Sequence, residues 1–266
     1  MNITRYLAPG LCLTMLALSG CGGDGTSQLT PSSTDKTVIT GMASKGPIKN
    51  GTVEVFAIEN GVEGTVPLNK PGQTTDAAGN FSIDIGSHTG PVVVKVSGSF
   101  TDEVSPTTTV TLKTPLRAVL SDTTTGTNTV AVTPLTELAC TKAKRGGLTK
   151  AAIDDANKAM AAKFKLADIV ATLPVAGGSK AGEKEYAAAC GSISQLANTN
   201  STTSGKKLDD ALAEVMSKME NEIEVHGDLS AESETELNDA GVEFSHSENN
   251  HSGATEATHV ETHTGG

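Results

Sequence analysis

The sequence predicts an α+β protein with segregated parts: a small antiparallel β-sandwich followed by an α-helical bundle, with a disordered tail. Three observations lead there. Between Thr37 and Leu120 apolar side chains alternate with period two in short runs. From Thr133 to His226 they recur at helical spacing instead. Past His226 the apolar pattern gives out and acidic and polar residues take over. A change of period from two to 3.6 marks the passage from strands to helices.

The sandwich is expected over residues 37–120. Gly51 to Ala57 and Asn80 to Ile85 alternate apolar and polar residues, so each presents one face to a core. Pro91 to Val96 is a short apolar run suited to a strand buried on both faces, and Thr108 to Leu112 is rich in β-branched residues. Turn chemistry separates the runs: Lys45-Gly46-Pro47, Asn60-Gly61, Asp76 to Asn80 and Gly86 to Gly90. Asp76 and Asp84 flank a hairpin and read as a turn residue and a polar strand face rather than calcium ligands. A Thr-rich connector is expected over 121–132.

The helical part is expected over 133–226. Thr133 can cap a helix, Pro134 suits its first position and Glu137 favours the positive end of its dipole. Lys144-Arg145-Gly146-Gly147 stops it. Thr149 opens a second helix with the stripe Ile153, Ala156, Met160 and Phe164. A third, Glu183 to Asn198, carries Tyr186, Cys190, Ile193 and Ala197 on one face. Leu208, Leu212, Val215, Met219 and Ile223 form a fourth stripe. The remainder, 227–266, is an acidic tail containing histidines. Leu229 to Phe244 suggests a weak helix there, and the stretch beyond it is expected to be disordered.

The first twenty residues read differently. Arg5 precedes a mostly apolar stretch, Leu7 to Leu18, that is too short for the roughly 20 residues a spanning helix needs. It reads as the apolar region of a signal peptide, residues 1–20. It ends in Leu18-Ser19-Gly20-Cys21, which resembles the lipobox of bacterial lipoproteins. The resemblance implies cleavage before Cys21, a diacylglyceryl thioether on its sulfur and an acylated (palmitate-bearing) amino terminus. The anchor places the chain on the membrane of the cell envelope, with the outer membrane favoured because Gly22 and Gly23 replace the Asp that commonly retains such proteins inside. Residues 21–36 then form a flexible tether of Gly, Ser, Thr and Pro. With Cys12 removed and Cys21 lipidated, Cys140 and Cys190 are left in an oxidising compartment and are expected to form a disulfide.

A second resemblance lies within the sandwich. Gly41, Gly46-Pro47-Ile48, Gly51, Val53, Val55-Phe56, Thr75-Asp76, Gly79, Phe81 and Ile83 are similar to the carboxypeptidase-regulatory-like domain, a transthyretin-like sandwich. The likeness covers roughly residues 37–115. It implies a non-catalytic accessory module. The peptidase that sometimes accompanies it would need a His-x-x-Glu zinc pair, and this sequence has none.

A search for chemistry returns little. The sequence has no Gly-x-Ser-x-Gly elbow, Walker loop or His-Glu-x-x-His. Ser33-x-x-Lys36 and Ser204-x-x-Lys207 fall in polar stretches without the partners that Ser-Lys chemistry requires. No catalytic residue is assigned and no enzyme is expected. A formal net charge of -11 argues against nucleic acid as a partner. Phe56, Phe81 and Phe100 sit on expected core faces, which leaves few aromatics for stacking sugars. The tail is the exception: Glu243-x-x-His246, Glu248-x-x-His251 and Glu256-x-x-His259 repeat one offset, and His263 follows His259 by four. On a helix these residues would share a face, and their chemistry suits zinc, nickel or copper. Two readings follow: a structural or binding module whose partner is another envelope protein or a surface polymer, or a metal-capturing lipoprotein.

Overall fold

The structure, a computed structural model, describes residues 36–262. Eight strands come first: β1 (Thr37–Ala43), β2 (Ile48–Glu59), β3 (Val62–Glu63), β4 (Asn80–Asp84), β5 (Val92–Thr101), β6 (Thr109–Thr111), β7 (Leu116–Leu120) and β8 (Gly126–Val132). Five helices follow: α1 (Pro134–Arg145), α2 (Lys150–Lys163), α3 (Glu183–Ser204), α4 (Leu208–His226) and α5 (Ala231–Ser245). The expected α+β order, sandwich before helices, is observed.

The strands form two sheets. In the first, β1 lies between β4 and β8. In the second, β5 is central: β2 pairs along one edge, β7 and β6 share the other, and β3 extends β2. Every pairing is antiparallel except that of β1 with β8, where Gly41 stands opposite Val130. Strand β8 falls inside the stretch expected as a connector. Its first half is Gly, Thr and Asn and lies exposed or half-exposed, and only Val130 to Val132 are buried, so the sequence offers little alternation to read.

The run Val92 to Val96 is indeed buried on both faces. Val92, Val94 and Val96 join Ile39, Val55 and Ile83 inside the sandwich. Val93, with Ile58 and Val119, faces the other way, against Cys140 and Ala143 of α1 and Ile153 and Ala156 of α2. The main core runs on without a break into α3 and α4 through Leu135, Tyr186, Ile193 and Met219.

Local chemistry fixes where α1 begins. Thr133 accepts from the Thr136 amide at 3.2 Å while Thr136 accepts from the Thr133 amide at 2.8 Å, a reciprocal cap, and Pro134 opens the helix. The Tyr186 hydroxyl, wholly buried, bonds Thr133 Oγ1 at 2.7 Å and donates to the Ile169 carbonyl at 2.8 Å. One phenol thus ties the α1 cap to α3 and to the loop after α2.

The tail is more ordered than its composition suggests. Helix α5 is capped by Ser230 and packs on α3, where Gly191 leaves room for the Phe244 ring; a Cβ there would lie 2.3 Å from it. Residues 246–262 have no regular secondary structure, yet Ser252 and Val260 are buried. Asn238 holds the Val260 backbone by both its amide and its carbonyl, at 3.2 and 2.6 Å. Paired backbone lets a segment poor in apolar residues stay in place.

Gly41 supplies a test of the first sheet. A Cβ at this position would stand 1.8 Å from the Val130 carbonyl oxygen and 2.9 Å from Phe81. The obstacle is backbone of β8, which cannot swing aside. Gly41→Ala is expected to destabilise the protein by about 3 kcal/mol, read by urea unfolding; an unchanged midpoint would contradict the close β1–β8 approach.

Candidate functional site

Where the sandwich meets the helices, six segments leave a cleft of about 400 Å³. They are the β1–β2 turn, the turn before β4, the β5–β6 loop, the loop before α3, α3 itself and the stretch after α5. Hydrogen bonds tie the rim together. Asp102 Oδ1 accepts from the amides of Val104 and Ser105, each at 2.9 Å. Asn249 donates to the Val104 carbonyl at 2.8 Å, and the Gly177 amide donates to the Ser252 carbonyl at 2.7 Å. A wider hollow of about 520 Å³ lies over the outer face of the first sheet. Its two charged side chains, Lys180 and Glu183, pair with each other at 3.9 Å, so it holds no unmatched charge.

Below the cleft lies a buried cation. Lys45, in the β1–β2 turn, is 0% exposed. Its ammonium donates to Ser194 Oγ of α3, stands 3.5 Å from Glu103 Oε2 and lies 5.7 Å from the centre of the Phe100 ring. Ser194 in turn donates to Glu103, whose other oxygen accepts from the Gly46 amide at 2.5 Å. An ammonium withdrawn from water is tolerable only when charge and hydrogen bonds are both matched, as they are here. The cluster pins two sandwich loops to α3. Ser194 is itself 0% exposed, so no substrate could touch it without opening that junction. The Ser-x-x-Lys spelling at Ser204 is occupied differently: its hydroxyl donates to the Asn200 carbonyl and accepts from the Lys206 amide.

A second charged joint links β7, α1 and α4. Glu137 accepts from the Arg117 backbone amide at 2.7 Å and from its Nε at 2.9 Å. Burial disfavours the Arg117 charge, but the hydrogen bonds and charge of Glu137 outweigh it and hold the guanidinium above its ordinary pKa. Glu220 of α4 lies near this pair. Burial, reinforced by the Glu137 charge and opposed by Arg117, pushes its carboxyl up to about 7.

The expected disulfide is not present: Cys140 and Cys190 are separate, buried, free thiols. Cys140 belongs to the cluster between α1 and the second sheet, whereas Cys190 belongs to the main core and lines the cleft. Cys140 lies on the face of α1 that packs on the second sheet, away from α3. Burial pushes the Cys140 thiol up to about 12 and the Cys190 thiol further still, so neither has the thiolate character that reactivity requires.

The tail residues do not come together. Glu243, His246, Glu248, His251, Glu256 and His259 are all exposed. Helix α5 stops at Ser245, so the later pairs lie off any helix. His246 Nδ1 lies 2.8 Å from the Val242 carbonyl, Glu243 accepts from Thr199 at 3.3 Å, and His251 stands at the cleft. Among the described residues no three His, Cys, Asp or Glu side chains converge to hold a metal. Cys21 and His263 lie outside the described residues. Asp76 is a turn residue and Asp84 an exposed residue at the end of β4: Asp76 accepts from the Ala78 and Asn80 amides, both at 2.8 Å, and Asp84 from Lys36 at 2.6 Å. Phe56, Phe81 and Phe100 are buried, as expected.

Sequence reasoning missed both the cleft and Lys45, which reads as an ordinary turn lysine. Its partner serine is 149 residues away, beyond any local signal. Compared with known proteins, the chain matches no family model, no curated protein and no solved structure.

Two expectations follow from the buried charges. Lys45→Ala strands Glu103 and should cost about 3–5 kcal/mol in urea unfolding, with Lys45→Met combined with Glu103→Gln recovering most of it; equal losses in both variants would contradict the pairing. For Glu220, the folded pKa of about 7 exceeds its ordinary value of 4.5. The folded protein therefore holds this proton more tightly, and stability is lost as pH rises from about 4.5 through 7. Glu220→Gln removes that penalty and should raise the melting temperature at pH 8 by about 2–4 °C, an advantage that closes below pH 4.5. A difference independent of pH would contradict the assignment.

Proposed function

We propose that this chain is a bacterial lipoprotein of the cell envelope, held by lipid on Cys21, whose folded part is a non-enzymatic structural or binding module. One observation carries the reading: Leu18-Ser19-Gly20-Cys21 closes an apolar stretch too short to span a bilayer, directly behind a positive residue. Several acyl chains on one terminus anchor stably, where a single chain is marginal. Gly22 to Asp35 lie outside the described residues; a chain of that Gly-, Ser-, Thr- and Pro-rich composition would have a root-mean-square reach of roughly 20 Å, enough to carry a folded unit clear of lipid headgroups. Among the described residues no helix is long and apolar enough to cross a membrane; on this reading attachment belongs to the lipid. Gly22 and Gly23 favour the outer membrane.

The module part of the reading draws on the likeness of residues 37–115 to the carboxypeptidase-regulatory-like domain, an accessory module in that family. Its partner would be another envelope protein or a surface polymer. The metal-capturing alternative has no converging ligand set behind it among the described residues.

The anchor is tested by Cys21→Ser. Wild-type chain expressed in a bacterium should fractionate with membranes and incorporate labelled palmitate, and the variant should lose both. An intact mass showing an unmodified chain in the soluble fraction of wild-type cells would overturn the reading.

A further inference from the structure

The cleft combines an apolar wall with one unmatched charge. Pro47, Pro106, Pro174, Val175 and Ala187 line it, and no Lys or Arg does. Two carboxylates face it, and they differ. Glu103 is neutralised from below by Lys45. Asp102 is only 3% exposed and has no ion-pair partner among the described residues. Both of its hydrogen bonds fall on Oδ1, from backbone amides, and Oδ2 has no partner there. Oδ2 does not belong with the fully buried polar atoms that lack a partner, so it is not sealed. A carboxylate this enclosed with one oxygen still open favours a cation beside it. The space, about 400 Å³, lies within the range of small-molecule sites, which pair an apolar lining with a few placed polar groups.

We propose that this cleft binds a small organic cation, an amine carried on an apolar body, with Asp102 as its counter-charge. The inference rests on reading the folded part as a binding module, though not on the lipid anchor. The alternatives match the walls less well. An anionic ligand would meet two carboxylates with no Lys or Arg in the lining to offset them. A neutral one would fill the apolar space and leave Asp102 unmatched. The chain's net charge of -11 adds a long-range field that concentrates cations near the surface.

Calorimetric titration of the purified full-length chain at pH 8 tests this with three probes that share one body: 4-phenylbutylamine, 4-phenylbutan-1-ol and 4-phenylbutyrate. The amine should bind at least tenfold more tightly than the alcohol, and the acid should not bind. Asp102→Asn keeps the Oδ1 acceptor for the loop and should bring the amine down to the affinity of the alcohol. Ala187→Phe fills the cleft from α3 and should abolish amine binding while thermal unfolding stays cooperative. The proposal is overturned if no probe binds, if the alcohol or acid binds as well as the amine, if Asp102→Asn keeps the preference, or if Ala187→Phe still binds. Membrane release of wild-type chain with intact amine binding would remove the anchor and keep the cleft; an anchored chain that ignores all three probes would do the reverse.

Discussion

The second sheet carries apolar side chains on both faces, and neither face can be left to water. Val92, Val94 and Val96 need the first sheet; Val93, Ile58 and Val119 need a cover on the other side. Each such side chain contributes about 1.5–3 kcal/mol when fully withdrawn from water. The helices supply that cover. The chain leaves β8, turns at Thr133 and lays α1 at once across the exposed face, with α2 folding back beside it. Everything after α2 is then placed by what α1 and the sandwich leave open.

Charge marks the seams where these layers meet. Lys45 joins two sandwich loops to α3, and Arg117 with Glu137 joins β7 to α1. Such buried pairs add little net stability compared with apolar packing, but breaking one is costly, so they penalise any other docking of the layers. Tyr186 works the same way with neutral groups, since its hydroxyl is satisfied only when α1, α3 and the loop after α2 are all in position. The cleft lies beside the Lys45 seam, where loops rather than ridged elements meet and the space between them is not filled. Asp102, on its edge, is the one charge of that seam without an ion-pair partner among the described residues.

The two cysteines show how a compartment argument can outrun geometry. Oxidising surroundings make a disulfide available, but the bond also needs Cα atoms within about 7 Å and Cβ vectors that face each other. Cys140 occupies a flank position on α1, and the demand of the sheet for an apolar cover turns that flank toward Ile58 and Val93. Cys190 points into a different part of the core. Each behaves as a small apolar side chain, the commonest use of a buried free cysteine.

Local order was legible in the sequence because its causes are local. Thr133-Pro134 and Lys144 to Gly147 bound α1 as read, Thr149 caps α2, and the stripes Ile153 to Phe164 and Leu208 to Ile223 are the buried faces of their helices. Alternation located β2 and β4, a short apolar run located β5, and the double burial of β5 followed from the adjacent valines Val92 to Val94. The misses share one cause. Strand β8 is drawn into a sheet by β1, which lies far back in the chain, and not by its own threonines. The stretch after α5 is held by Asn238 and not by apolar pattern. Lys45 is buried because Glu103 and Ser194 come to it from distant segments, and the cleft exists only where six separate segments converge. Periodicity and capping act over a few residues and can be read in one pass; burial, charge pairing and cavities are set by neighbours in space, which the order of residues does not name.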